Sequence, residues 1–154
     1  MKGKFTKHVA AQKKNANNER VFSDLEKRIL NHSIDKDGER PHVNLKYYSP
    51  NFECFSSWTS DEMKAFSTFV EKLRTSKWQT IFNSGGSIGQ KTGFALTLLE
   101  PSNYPQENQT LDSLSQDIKL FELRVDQKIR VHGFRCHDGF FLVYLDREHR
   151  ISKG

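Results

Sequence analysis

Apolar positions recur along this chain in two periods, and the change from one to the other divides it. From 18 to 31, Val21, Phe22, Leu25, Ile29 and Leu30 fall at helical spacing, with Asn17 or Asn18 placed as an N-cap. Ser33 to Pro41 reads as a polar loop. VNLKYY at 43–48 alternates as a strand does, closed by Ser49-Pro50-Asn51. Thr59-Ser-Asp-Glu62 is then a capping box, with acids in the first turn where the helix dipole favours them. Met63, Phe66, Phe69, Val70 and Leu73 share one face, so the spacing predicts a helix ending near Thr75. A short helical segment is expected at 77–82, a flexible loop from Asn83, a strand or buried turn at 94–99 (FALTLL), and one helical turn at 111–116.

The last third changes to period two. KLFELRV (119–125), KIRVHGFR (128–135) and FFLVYLD (140–146) are separated by Asp126-Gln127 and by Cys136-His-Asp-Gly139. Turns that short force antiparallel neighbours, which makes a β-meander. Phe121, Leu123 and Val125 share an apolar face while Glu122 and Arg124 point the other way. Ile129, Val131 and Gly133 likewise oppose Arg130, His132 and Phe134, so a favourable register gathers Arg124, Arg130 and His132 on one side. The fold class expected is α+β, with N-terminal helices packed on a small, mostly antiparallel β-sheet ending in a three-stranded meander. Residues 1–17 read as a disordered basic arm. Residues 18–154 read as a single α+β domain with an extra loop over 83–110.

Charge sharpens this division. Residues 1–46 hold 11 Lys/Arg against 6 Asp/Glu, and residues 47–154 hold 13 against 13, so the net +5 resides in the N-terminal part. Such an arm attracts nucleic acid or anionic surfaces without sequence preference. A mean hydropathy of −0.73 and no apolar run near the roughly 20 residues of a membrane span argue against a membrane protein. The charged N-terminus lacks the apolar stretch of a secretory signal, so a cytoplasmic domain is expected. Cys54 and Cys136 are outside any CxxC spacing, and no HExxH or HxxxH occurs, so no metal and no cofactor are expected.

Other motifs reduce to ordinary structure. Gly85-Gly-Ser-Ile-Gly-Gln-Lys91-Thr92 approaches a phosphate-binding loop, but Gln90 stands where that pattern needs Gly, and the loop follows a helix rather than a strand. A loop presenting Lys91 to a ligand is the residual reading. Trp58, Phe66, Phe69 and Trp78 read as packing.

A cationic constellation remains: Arg124, Arg130, His132 and Arg135 on adjacent strands, with Arg147, His149 and Arg150 just beyond the third. Arginine forks fit phosphate oxygens bidentately. Cleavage of an RNA backbone needs one group to withdraw the 2′-hydroxyl proton, another to protonate the leaving oxygen, and a cation to stabilise charge on phosphorus. Histidine among arginines suits either proton transfer near neutral pH. Ordinary surface pairing with Glu122, Asp126, Asp146 and Glu148 is the competing explanation.

The run Phe121-Glu122-Leu123-Arg124, Ile129-Arg130-Val131 and Phe141-Leu142-Val143-Tyr144, ending in a basic tail, resembles the C-terminal half of the RelE/ParE-type toxins, especially the HigB branch. The resemblance covers residues 119–151. It implies a RelE-like fold and a metal-independent mRNA endoribonuclease, free or ribosome-dependent, that arrests translation and is held inactive by a small antitoxin. By position it implies site roles for Arg124 and Arg130, for Arg147 or His149 at the basic end, and more loosely for Lys91. His132 has no family counterpart and rests on strand geometry. The tyrosine usual after the last strand is missing, since Tyr144 lies within it.

Taken together, Arg124, Arg130, His132 and His149 are the candidate catalytic residues, and Lys91, Arg135, Arg147 and Arg150 the candidate RNA-binding ones. RNA, the ribosome and an antitoxin are the partners expected. Two alternatives stay open on the same scaffold. One is a non-catalytic RNA- or ribosome-binding module; the other is a protein-directed protein, either a gyrase-poisoning relative or an adaptor in phage defence or on a mobile element.

Overall fold

Helix formation is strongest where the capping signals are. The computed structural model describes residues 40–86, 89–106, 109–112 and 114–153, so the arm at 1–17 and the helix expected over 18–31 fall outside the described residues. All described residues belong to one unit, Asp35–Gly154, separate from Met1–Ile34. Helix α1 spans Ser60–Thr75 and begins as its sequence predicts. The Glu62 amide donates to Thr59 Oγ1 at 3.3 Å, and the Thr59 amide donates to the Glu62 carboxylate at 2.8 Å. It ends where Ser76 turns extended and its amide caps the Lys72 and Leu73 carbonyls. Helix α2, Trp78–Asn83, follows at once, and a single turn, α3, occupies Gln109–Asp112.

Among the described residues five strands form one mixed sheet: β1 His42–Asn44, β2 Thr97–Leu98, β3 Phe121–Arg124, β4 Arg130–Cys136 and β5 Gly139–Asp146. Their order is β1-β5-β4-β3-β2, with β1 parallel to β5 and the other pairs antiparallel. The expected meander is therefore β3-β4-β5. The first strand is shorter than the 43–48 alternation suggested, because Tyr47 and Tyr48 leave the sheet in a turn, the Tyr48 amide bonding the Leu45 carbonyl. Asp126 makes the β3–β4 turn by accepting from the Lys128 and Ile129 amides at 2.8 and 2.7 Å.

Each sheet face carries its own apolar cluster. On one, Phe69, Leu73, Trp78 and Ile81 from the helices meet Phe121, Leu123, Val131, Phe140, Leu142 and Leu145 from the strands. Burial of each such side chain is worth about 1.5–3 kcal/mol. The opposite face holds a smaller cluster of Tyr104, Phe134, Val143, Tyr144 and Ile151. Among the described residues no helix is long and apolar enough to cross a membrane.

Candidate functional site

The strand register decides which polar residues meet. Glu122 stands opposite His132, Arg124 opposite Arg130, Arg130 opposite Asp146, and His132 opposite Tyr144. A register shift at His132/Gly133 leaves Val143 unpaired in the ladder, and its carbonyl accepts instead from the Ser49 amide at 2.9 Å. The sheet face that carries the smaller apolar cluster therefore also carries a buried polar ladder.

Glu122 is its hub. One carboxylate oxygen lies 3.5 Å from Arg130 Nε; the other lies 3.8 Å from His132 Nε2 and 3.4 Å from His149 Nε2. His132 Nε2 also lies 3.5 Å from Asp146, and its Nδ1 shares a 3.3 Å hydrogen bond with the Tyr104 hydroxyl. His132 and Asp146 are fully buried; Glu122 and Arg130 keep only a sliver of surface, and His149 is 22% exposed. Glu122 Oε2 and His132 Nε2 lie 3.8 Å apart, and neither buried atom makes a hydrogen bond among the described residues. Among the described residues, no group of three or more His, Cys, Asp or Glu side chains could hold a metal ion.

Protonation follows burial and pairing. Burial lowers the pKa of His149, against the opposing pull of the Glu122 carboxylate, so its ring is neutral at pH 7. Burial pushes Asp146 upward, but the His132 ring and the amides of Ile151 and Arg150 outweigh it and hold the carboxyl below the usual range. Those two amides donate to Asp146 at 2.8 and 2.7 Å, which ties the C-terminal turn to the sheet. Burial, with the charge of Glu122 behind it, raises the Tyr104 phenol well beyond its ordinary value, so it stays protonated. The Arg130 guanidinium donates to the Asp126 and Ile129 carbonyls at 2.9 and 3.0 Å. Burial lowers its pKa, partly offset by Glu122.

Of the residues singled out in the sequence, Arg130, His132 and His149 come together. Arg124 lies on the same strand as Glu122, but its side chain has no hydrogen bond or ion pair among the described residues. Arg135 alternates to the opposite face, where its guanidinium stacks over Trp78 and Phe82 at 4.9 and 5.3 Å. Lys91 donates to Thr97 Oγ1 at 2.7 Å. Arg147 bonds the Ser57 carbonyl at 2.8 Å and reaches Glu62 at 3.4 Å and Glu53 at 3.9 Å. Arg150 lies 3.5 Å from Glu53 and 4.4 Å over the Phe52 ring. Pairing with the buried Glu53 carboxylate, which is not one of the surface acids expected, thus accounts for Arg147 and Arg150.

Glu122, Asp146 and Tyr104 belong to the site but were not among the candidates. A signal existed for the first: a carboxylate between Phe121 and Leu123 inside a strand cannot be buried without a partner. Tyr104 arrives from an irregular segment, and no local pattern announces it. Comparison with protein-family models, with curated proteins and with solved structures found no match to this chain.

Proposed function

We propose that this protein is a toxin-like endoribonuclease that cleaves mRNA and arrests translation. The observation that carries the reading is the His149–Glu122 pair, 3.4 Å apart, on the sheet face that also holds Arg130. A neutral imidazole beside a carboxylate is equipped to take the 2′-hydroxyl proton of a ribose, the carboxylate's charge stabilising the imidazolium formed. The 2′-oxygen then attacks phosphorus, the bond to the 5′-oxygen breaks, and the departing oxygen takes a proton from water. Arg130, with Arg124 as its cross-strand neighbour, supplies positive charge toward the phosphate. His132 is fully buried beneath and does not touch substrate. The RelE-like arrangement is part of this reading, supported by paired helices that precede a meander bearing the site.

The test is induction of the protein in a bacterial host beside His149→Ala and Glu122→Gln, with mapping of mRNA 5′ ends. Growth arrest and new RNA ends from the wild type alone are expected. RNA left intact in a host arrested equally by all three would overturn the reading. One observation favours the non-catalytic alternative: Glu122 Oε2, the atom nearest the His149 ring, makes no hydrogen bond among the described residues. That alternative predicts salt-sensitive RNA or ribosome binding with no strand scission.

A further inference from the structure

Beside the end of β3 lies a cavity of about 480 Å³, between the C-terminal turn of α1, helix α2 and the Thr92–Phe94 segment. Its size is that of a small-molecule site. Its chemistry sets it apart from the two other cavities described. The groove along Leu98–Leu120 includes Glu100 and Asp112, and the cleft at Phe52–Arg150 includes Glu53 and Glu148. Among the described residues no carboxylate lines this cavity, yet Lys72 and Arg124 both line it. Neither cation has an ion pair among the described residues.

The remaining walls divide by polarity. Phe69 and Phe94 are buried there, packed edge to face with centroids 5.8 Å apart. Thr80, Asn83 and Thr92 line the rim, and their side chains make no hydrogen bond among the described residues. Aromatic surface suits a planar ring. An amide beside hydroxyls offers a donor and an acceptor to a ring's polar edge, and two unpaired cations suit a phosphate.

We propose that this cavity is a nucleotide subsite. The base would lie against Phe94 with its edge toward Asn83 and Thr80, and the phosphate would be held by Arg124 and Lys72. Arg124 is the cross-strand partner of Arg130, so the subsite adjoins the polar ladder at one pair of residues. Arg124 is then a binding residue rather than a member of the Glu122 cluster. The proposal rests on the RNA reading above for the nucleotide's place in a strand, and on the cavity alone for its chemistry.

The experiment is an amide chemical-shift titration of the full chain carrying His149→Ala, which prevents strand scission. The probes are the four ribonucleoside 3′-monophosphates, inorganic phosphate and a single-stranded hexaribonucleotide. Saturable shifts are expected over 72–84, 92–94 and 124–125. Arg124→Gln should weaken the affinity at least about tenfold, the loss of one charge-assisted hydrogen bond. Thr80→Trp, at an exposed position, should fill the cavity and remove the response, while Glu71→Gln outside it should not. A hexamer that binds more tightly than the monophosphates assigns the site to an RNA strand; equal affinities assign it to free nucleotides. Absence of saturable shifts in these segments with every probe overturns the proposal, as does a response unchanged in both Arg124→Gln and Thr80→Trp. A wild-type chain that leaves RNA uncut, while the His149→Ala chain binds nucleotides here, would refute the cleavage reading and leave the subsite standing.

Discussion

The imidazole of His149, in the turn after β5, lies 3.4 Å from the carboxylate of Glu122, in the middle of β3. Positive φ at His149 (57°) and the Asp146 carboxylate, which accepts the Arg150 and Ile151 amides, shape the turn that brings the ring back over the sheet. The pair closes a ladder in which two carboxylates face two imidazoles and one guanidinium.

Acid should weaken this protein in two stages. The unfolded chain protonates His149 near pH 6.5, the folded one only at lower pH because burial resists the charge. Between those values the unfolded state binds more protons, so stability falls as pH drops through that window. Asp146 adds a second loss below about pH 3.9, where the unfolded carboxyl protonates before the folded one. Urea midpoints measured from pH 8 to pH 3 should show both stages, and His149→Gln should remove the upper one. A midpoint constant between pH 7 and pH 5 would contradict the burial assigned to His149.

The same lowered pKa sets the activity profile. With neutral His149 as the proton acceptor, the cleavage rate should hold its plateau below pH 6.5 and fall only at more acidic values. Single-turnover rates on a short RNA against pH would show this, and an acid limb centred above pH 6.5 would assign the proton transfer to another group.

Glu53 should be costly to remove although it lies outside the ladder. Its buried carboxylate accepts from Trp58 Nε1 and from the Arg147 amide, both at 2.9 Å, and faces the Arg147 and Arg150 guanidinium groups. Glu53→Ala leaves a buried indole N–H and an amide unpaired, a loss of about 3 kcal/mol. Thermal unfolding followed by tryptophan fluorescence should show a midpoint lowered by roughly 10 °C. A drop within two or three degrees would mean that water replaces the carboxylate.

Gly133 is required by close packing. A Cβ there would overlap the Phe141 carbonyl and stand 2.9 Å from the Phe140 ring, just where the register of β4 and β5 shifts. Gly133→Ala should cost at least about 2 kcal/mol, since ladder backbone cannot retreat as a flexible side chain can. Chemical denaturation would measure this, and a neutral result would mean that the register shift relaxes.

The capping box offers a milder test. Thr59→Ala removes the acceptor for the Glu62 amide and should cost about 1 kcal/mol, with the helix otherwise intact. Glu62 also reaches Arg147 at 3.4 Å, so Glu62→Ala should cost more than Thr59→Ala does. The two urea midpoints, compared directly, give the order.

Much of this molecule was legible in its residues, because the signals concerned were local. Thr59 to Glu62 named a helix start, the spacing from Met63 to Leu73 its buried face, and the two short turns after Arg124 and Arg135 an antiparallel meander. Alternation also placed Arg130 and His132 on one face, for the reason that side chains on a strand repeat every second residue. What alternation leaves open is burial and partnership. The same period put Arg135 on aromatic rings and Arg124 beside a separate cavity. The parallel pairing of β1 with β5, the covering of His132 by Tyr104 and the return of His149 to Glu122 all join residues far apart in the chain. Such contacts depend on how the elements close on one another. Sequence by itself therefore determined the elements and their faces; tertiary structure alone decided which charges share a low-dielectric site and which remain in water.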